Sequence, residues 1–381
     1  MLNEKFDQLV EGEKSSQIQA PEQVMASEQL GEEQKNGQRQ IPDQMTAVVL
    51  DSYTGFEALR VEQRPVPKPG RDEVLVKVAT SPINPSDLAV LEGYYGFKNP
   101  PPIVPGGEGS GTVVAVGPGM IGRYFLGKRV ACMGWGKGGG VWAEYVVKSV
   151  KGGVLPLHDS VSLEQGAMSI VNPLTACAFL EIAKKGGHKA IVLTAAASAL
   201  GQMVNRLGRS EEVQVINIVR REAQVALLKK QGATIVLNSS EADFEQQLHD
   251  VCHQADAHLA FDAVAGPLTG QLLAALPHHS KAIVYSALSY KAIEVNPDLI
   301  IFEDKAVDGF WLGPWITKKN LLQILMLWRR GQRLMTTELK SDIRVQYPFG
   351  EAKAAVKDYL SQMTGGKILL RPTQPRKEKF G

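Results

Sequence analysis

Apolar and polar positions change their period along this chain, and the changes divide it into stretches. Residues 1–44 are rich in Gln and Glu, hold few large apolar residues and carry no sustained helical stripe. Such a segment buries too little surface to offset its ordering entropy, which predicts a disordered or loosely helical extension. From Met45 short β-type runs follow one another at 46–50, 74–79, 111–117, 128–133 and 141–147, separated by turns rich in Gly and Pro. Several short strands of this kind predict a partly open β-barrel. Near Ser162 the period lengthens. Ser162 and Gln165 read as a capping box, and Pro173 lies near the start of a helix running to about residue 183. Strand patterns at 190–195, 213–219, 234–237, 258–264 and 281–287 then alternate with helical patterns at 223–230, 244–252 and 268–276. The run 306–312 reads as a sixth strand, and helical patterns return at 321–328 and 352–363. This predicts an α/β fold whose doubly wound parallel sheet is covered on both faces.

The apolar run Ala190-Ile191-Val192-Leu193 ends in a small-residue turn that includes Ala197, Ser198, Ala199, Leu200 and Gly201, and the turn opens a helix. A second apolar run stops at Arg220-Arg221. Strand, tight turn, helix and strand in that order form the βαβ unit that binds dinucleotides, with pyrophosphate against the helix N-terminus. The fingerprint is degenerate, since alanines and Ser198 stand where its first glycines belong. A free ribose 2′-hydroxyl is usually held by Asp or Glu at the end of the second strand, whereas a 2′-phosphate needs cations. Arg220 and Arg221 therefore favour NADPH over NADH, with adjacent Glu222 able to oppose them. A pair of solvated arginines is the plain alternative.

Composition adds exclusions. A net charge of +2 over 381 residues gives no electrostatic reason to propose nucleic acid or an anionic membrane as partner. No apolar run approaches the roughly 20 residues of a membrane span. The three cysteines, Cys132, Cys177 and Cys252, are odd in number and scattered, which favours a reducing compartment. With no secretory or transit pattern in the acidic N-terminal stretch, the expectation is a cytoplasmic protein.

Three strings narrow the reading further: 81–87 (SPINPSD), 105–111 (PGGEGSG) and 171–176 (VNPLTA). With the order of strand-rich region, dinucleotide unit and return segment, they resemble the medium-chain dehydrogenase/reductase superfamily. The strings 92–96 (EGYYG) and 309–312 (GFWL) look like active-site strings of the mitochondrial-type trans-2-enoyl-thioester reductases within it. The resemblance implies a GroES-like catalytic domain (45–167 and 313–381), a Rossmann domain (168–312) and a homodimer. Zinc dehydrogenases of the superfamily place a Cys where Pro85-Ser86 stands and a His where Gly107 precedes Glu108. A catalytic zinc needs three protein ligands, so no metal is expected. His249, Cys252 and His253 share a helix face at metal-binding spacing, but read more simply as a polar face with its cysteine turned inward. The glycine run 136–140 lacks the Lys-Ser/Thr order of a phosphate loop.

The implied reaction is NADPH-dependent reduction of the 2,3 double bond of an enoyl thioester, as in fatty acid metabolism, with a coenzyme A or acyl carrier protein thioester as substrate. A zinc-free NADPH:quinone or alkenal reductase is the alternative, and a non-catalytic nucleotide-binding protein a further one. Tyr95 is the expected proton donor or enolate partner; Tyr94 beside it replaces a polar residue common in the family. Asn84 either orients substrate or nicotinamide, or forms an Asx-type turn before Pro85. Asn172 and Thr175 are expected on the nicotinamide side, unless Asn172 merely caps the helix. Phe310 and Trp311 resemble acyl-pocket residues, but an aromatic pair at the end of a buried strand is more often core or dimer packing. Ser286 and Ala287 follow a strand, where the ligand crevice of an open α/β sheet lies. Lys367 is either a phosphate contact or a solvated lysine.

Overall fold

The computed structural model describes residues 41–96, 98–134 and 139–372. The expected extension up to residue 40 and residues 136–138 of the glycine run lie outside them. The first strands are β1 (Gln44–Leu50), β2 (Leu59–Pro65), β3 (Glu73–Pro82), β4 (Glu108–Val116), β5 (Arg129–Met133), β6 (Tyr145–Ser149) and β7 (Val154–Pro156). There follow β8 (Ala190–Leu193), β9 (Gln214–Val219), β10 (Ile235–Asn238), β11 (Leu259–Asp262), β12 (Lys281–Val284) and β13 (Ala306–Gly309), and finally β14 (Ile343–Pro348) and β15 (Lys367–Arg371).

Two architectures share the chain. Strands β8 to β13 form one parallel sheet in the order β10-β9-β8-β11-β12-β13. Helices Ala199–Ser210, Glu222–Lys230, Phe244–Gln254 and Pro267–Ala275 connect its strands. Right-handed crossovers of this kind put helices over the sheet faces, which is why its strands are almost wholly apolar. The other sheet runs β14-β15-β3-β4-β5-β7, with β6 also paired to β3, and β1-β2 is a hairpin beside it. Its core is built on β1 and β3 with Trp142, Phe349 and Tyr359.

Several expectations need correction. The run 306–312 splits: the strand ends at Gly309, and Leu312 begins the helix Leu312–Thr317. Strand β2 and helix Pro85–Leu91 were not anticipated. Strands β14 and β15 were missed too, and they return the chain to the barrel beside β3. Ser162 caps its helix through Gln165 N–H at 3.2 Å, but the Gln165 side chain bonds the backbone of Ser341 instead of closing the box.

The boundary between the two architectures is stitched rather than open. Helix Leu321–Leu334 packs on helix Val171–Lys185, placing Leu327, Trp328 and Leu334 against the core under the parallel sheet. Arg206 donates to the carbonyls of Glu338 at 2.7 Å and Lys340 at 2.6 Å, tying a sheet-covering helix to the return segment.

Candidate active site

A cleft of about 900 Å³ opens along this boundary. That is near the upper end of the roughly 300–1,000 Å³ range of small-molecule sites. One wall is the C-terminal edge of the parallel sheet, where crevices of open α/β sheets lie. There the turn after β8 delivers Ala195, Ser198, Ala199 and Leu200 to the cleft, and the segment after β12 delivers Tyr285, Ser286, Ala287 and Leu288.

The small-residue turn works as a tight entry into a helix. Ala195 sits at φ +48°, a left-handed conformation unusual outside glycine. Ser198 caps the helix Ala199–Ser210, its Oγ accepting from Gly201 N–H at 3.1 Å. A Cβ on Gly201 would lie 2.2 Å from the Ala196 carbonyl oxygen, so only glycine lets the helix start this close to the strand end. The first-turn N–H groups of a helix have no intrahelical acceptor. A dinucleotide pyrophosphate fits here: small residues leave room, and the helix N-terminus favours negative charge. Ala197 is buried behind the turn and, with Gly201, shapes it without lining the cleft.

Asn172 and Thr175 both line the cleft from the first turns of helix Val171–Lys185. Ile170, not Asn172, is the N-cap, so the capping reading of Asn172 is withdrawn. Arg220 and Arg221 directly follow β9 and are exposed. Neither lines the cleft directly, but Arg221 Nη2 donates to Oγ1 of cleft-lining Thr364 at 3.3 Å. Glu222 is exposed in the first turn of the next helix.

The opposite wall comes from the barrel. Backbone N–H groups of Tyr94 and Tyr95 both donate to Ala89 O, at 2.8 and 3.1 Å, in a tight turn after helix Pro85–Leu91. The turn separates the two tyrosines. Tyr94 is 78% exposed, whereas Tyr95 is half-buried and accepts a hydrogen bond from Trp311 Nε1 at 3.3 Å. Burial raises the Tyr95 phenol above its ordinary value, so it is protonated at neutral pH. Gly96 lies flat against the indole: a Cβ there would stand 3.1 Å from the Trp311 ring. Phe310 is half-buried, packed edge-on to Phe179 with centroids 5.2 Å apart, and Phe179 also stacks on Phe261 at 4.0 Å. Phe310 thus does two jobs, packing against the core on one side and lining the cleft on the other.

Asn84, Asp87, Glu108 and Lys367 form a buried charged floor. Glu108 Oε2 accepts from the N–H groups of Ile170 at 3.0 Å and Val171 at 2.9 Å, while its Oε1 accepts from Asn84 Nδ2 at 2.9 Å. A barrel carboxylate therefore caps the helix that begins the nucleotide lobe. Asp87 accepts from the N–H groups of Asn84 at 2.7 Å and Gly107 at 2.8 Å. Asn84 is the N-cap of helix Pro85–Leu91 in a capping box with Asp87. Its amide oxygen accepts from Lys367 Nζ, so both ends of that amide are committed within the floor. Lys367 is buried at 4% exposure and is not the solvated lysine of the plain reading. Burial pushes Asp87 up to about 7 and raises Glu108, while it lowers Lys367; the opposite charges partly counter each shift.

Sequence reasoning did not single out Ser86, Glu108, Tyr285, Tyr290, Tyr359 or Thr364. Asp87 and Glu108 stood in the quoted strings 81–87 and 105–111, and the double glycine 365–366 was the available signal for Thr364. Among the described residues no three His, Cys, Asp or Glu groups are arranged to hold a metal ion. Cys252 is fully buried in the core, and His249 stacks on His253 at 4.1 Å.

These features define a two-lobed nicotinamide-dependent oxidoreductase whose cleft lacks the zinc-ligand residue types at Pro85, Ser86 and Gly107. The Alcohol dehydrogenase GroES-like domain family matches residues 70–159, and the family described as Zinc-binding dehydrogenase matches residues 199–326. The mitochondrial enoyl-[acyl-carrier-protein] reductase of Arabidopsis thaliana is 30% identical, over 80% of each chain. The human protein of that name is 28% identical over 76% of this chain and 79% of its own length. A putative NADPH:quinone reductase from Mesorhizobium loti is 36% identical, superposes with a TM-score of 0.81, and covers 87% of this chain and 100% of its own. The chain belongs to the medium-chain dehydrogenase/reductase superfamily, in its zinc-independent, quinone-oxidoreductase-like branch, and is distantly related to the mitochondrial enoyl reductases. It is an NADPH-dependent oxidoreductase of that superfamily.

Proposed function

We propose that the protein reduces flat, electron-poor conjugated carbonyl compounds, quinones and alkenals foremost. The observation that carries this is the aromatic lining of the cleft: Tyr94, Tyr95, Tyr285, Tyr290, Phe310, Trp311 and Tyr359. Aromatic walls favour planar π-systems by offset or edge-on contact. The 36% identity to a putative NADPH:quinone reductase supports the same ranking and moves it ahead of the enoyl-thioester reading favoured by the sequence strings.

NADPH, when bound, supplies a hydride. The turn 195–200 and the helix N-terminus would hold its pyrophosphate, with Asn172 and Thr175 toward the nicotinamide end. Trp311 and Phe310 hold the acceptor plane. Tyr95 offers a protonated phenol beside the indole, placed to hydrogen-bond the enolate oxygen that an alkenal or enoyl thioester develops, whereas a quinone spreads the new charge over its ring and takes protons from water. Conjugation already makes the acceptor electrophilic, so this design needs no Lewis acid.

Reduction of an enoyl thioester is the second reading, favoured by the relationship to the Arabidopsis enoyl reductase and by Tyr95 itself. In that case an acyl carrier protein thioester becomes a candidate partner. Association into a homodimer is proposed alongside, through β13, one of the two edge strands of the parallel sheet among the described residues.

Oxidation of NADPH against a panel of quinones, alkenals and enoyl thioesters tests the ranking. Highest kcat/KM on quinones or alkenals supports the first reading, and highest kcat/KM on thioesters replaces it with the second. Tyr95→Phe sharpens the outcome. Quinone turnover should fall less than threefold, because quinone products take protons readily from water, whereas thioester turnover should fall about tenfold or more.

A further inference from the structure

The chain crosses from the end of β9 to the return segment at one polar contact, and that contact has the chemistry of a phosphate site. Arg221 stands at the N-cap of helix Glu222–Lys230, on the parallel-sheet lobe. Thr364 lies between helix Ala352–Ser361 and β15, on the barrel side, and lines the cleft. Arg221 Nη2 donates to Thr364 Oγ1 at 3.3 Å. Among the described residues neither Arg220 nor Arg221 has a carboxylate within 4.0 Å, as is also true of other arginines such as Arg71, Arg123 and Arg209, so the Thr364 contact is what sets Arg221 apart. A long bond to a neutral hydroxyl is a weak use of a guanidinium fork suited to two anionic oxygens.

The loop bearing Thr364 is held in place by its neighbours. Gly365 and Gly366 adopt φ of +94° and +121°, and a Cβ on Gly366 would meet Arg344 N at 3.0 Å and Asp342 O at 3.3 Å. Lys367 N–H then donates to Asp342 O at 2.7 Å, and its side chain is buried in the floor of the cleft. The hydroxyl is thereby presented toward the end of β9, where the ribose of a dinucleotide lies in this fold.

We propose that Thr364 is a specificity-determining contact for the 2′-phosphate of the dinucleotide, acting with Arg221 from the opposite lobe. The proposal rests on the NADPH reading and adds a residue from the barrel side to it. The hydroxyl that accepts from Arg221 also carries a proton of its own. With phosphate present, guanidinium and hydroxyl donate to neighbouring phosphate oxygens, so the phosphorylated cofactor bridges the two lobes and the unphosphorylated one does not.

Binding of 2′,5′-ADP and 5′-AMP to the full chain, followed by calorimetry, isolates the phosphate from the chemistry of hydride transfer. The wild type should bind 2′,5′-ADP at least about tenfold more tightly than 5′-AMP, the scale of one or more charge-assisted hydrogen bonds. Thr364→Val should weaken 2′,5′-ADP by about tenfold and leave 5′-AMP within twofold; Thr364→Ser should restore the wild-type value. In an Arg221→Ala background the same valine should add less than a twofold effect. If Thr364→Val weakens both nucleotides alike, or neither, Thr364 has no role in phosphate selection even though NADPH preference stands. If the wild type itself fails to discriminate, the NADPH preference falls and the proposal falls with it.

Discussion

Glu108 offers the sharpest test of the buried floor. Its carboxylate accepts from Ile170 N–H at 3.0 Å, Val171 N–H at 2.9 Å and Asn84 Nδ2 at 2.9 Å, and it faces the buried Lys367 ammonium. Glu108→Ala strands three donors and leaves Asp87 as the remaining acidic neighbour of the Lys367 ammonium. Each stranded buried donor costs about 1–3 kcal/mol. These contributions overlap, and water from the adjacent cleft can reach part of the vacancy, so the expected loss is about 4 kcal/mol in all. Urea unfolding followed by intrinsic fluorescence measures it for wild type, Glu108→Ala, Lys367→Met and the double variant. Because the alanine removes one of the two acidic neighbours of buried Lys367, adding Lys367→Met should recover about 1–3 kcal/mol relative to the sum of the single losses. Additivity within about 0.5 kcal/mol, or a loss below about 1 kcal/mol for Glu108→Ala, would refute the claim that these groups act as one unit.

Three further outcomes follow from the geometry. Asp87 has its folded pKa raised to about 7 from 3.8, chiefly by burial, so its protonated form favours the folded state. That contribution is complete below pH 3.8 and is lost as pH rises to about 7; stability should decline across this window in the wild type and decline less in Asp87→Asn, as read from urea midpoints at stepped pH. Gly201→Ala should weaken NADPH binding by about tenfold or more and destabilise by about 1–3 kcal/mol, since the new methyl would press on a carbonyl; unchanged affinity by fluorescence titration would contradict the tight-turn argument. Trp311→Ala should raise KM for quinones by about tenfold with a smaller change in kcat, since it removes a binding wall rather than a reacting group; an unchanged KM would remove Trp311 from the acceptor site.

Much of the fold was legible from period alone. Four-residue apolar runs such as Ala190–Leu193 could only be strands buried on both faces, and the small-residue turn after them marked the nucleotide lobe. What escaped notice did so for physical reasons. Strand β2 alternates Leu, Arg, Val, Glu, Gln and Arg on a hairpin with much of its length exposed, which weakens the apolar signal. Strand β15 joins β3 from nearly 300 residues away, a pairing that no local window contains, and β14 then adds to β15. The site divided in the same way. Tyr95, Phe310 and Trp311 stood in recognisable strings, but the barrel side of the phosphate end depended on a loop brought across by tertiary structure. Asn84 and Lys367 were singled out from sequence; their mutual hydrogen bond appears only once β3 and β15 are adjacent.

The route of the chain has a consequence for building chimaeras. The parallel sheet is inserted between β7 and β14 of the barrel, and the segment after it supplies Lys367 to the floor and Thr364 to the rim. Truncation after the sheet would leave the first lobe missing its closing strands and the cleft missing a side. Transplanting nucleotide preference between relatives therefore calls for exchanging two stretches at once, the inserted sheet and the short tail that comes home to β3, because the residues proposed to recognise the nucleotide lie on two separate stretches of the chain.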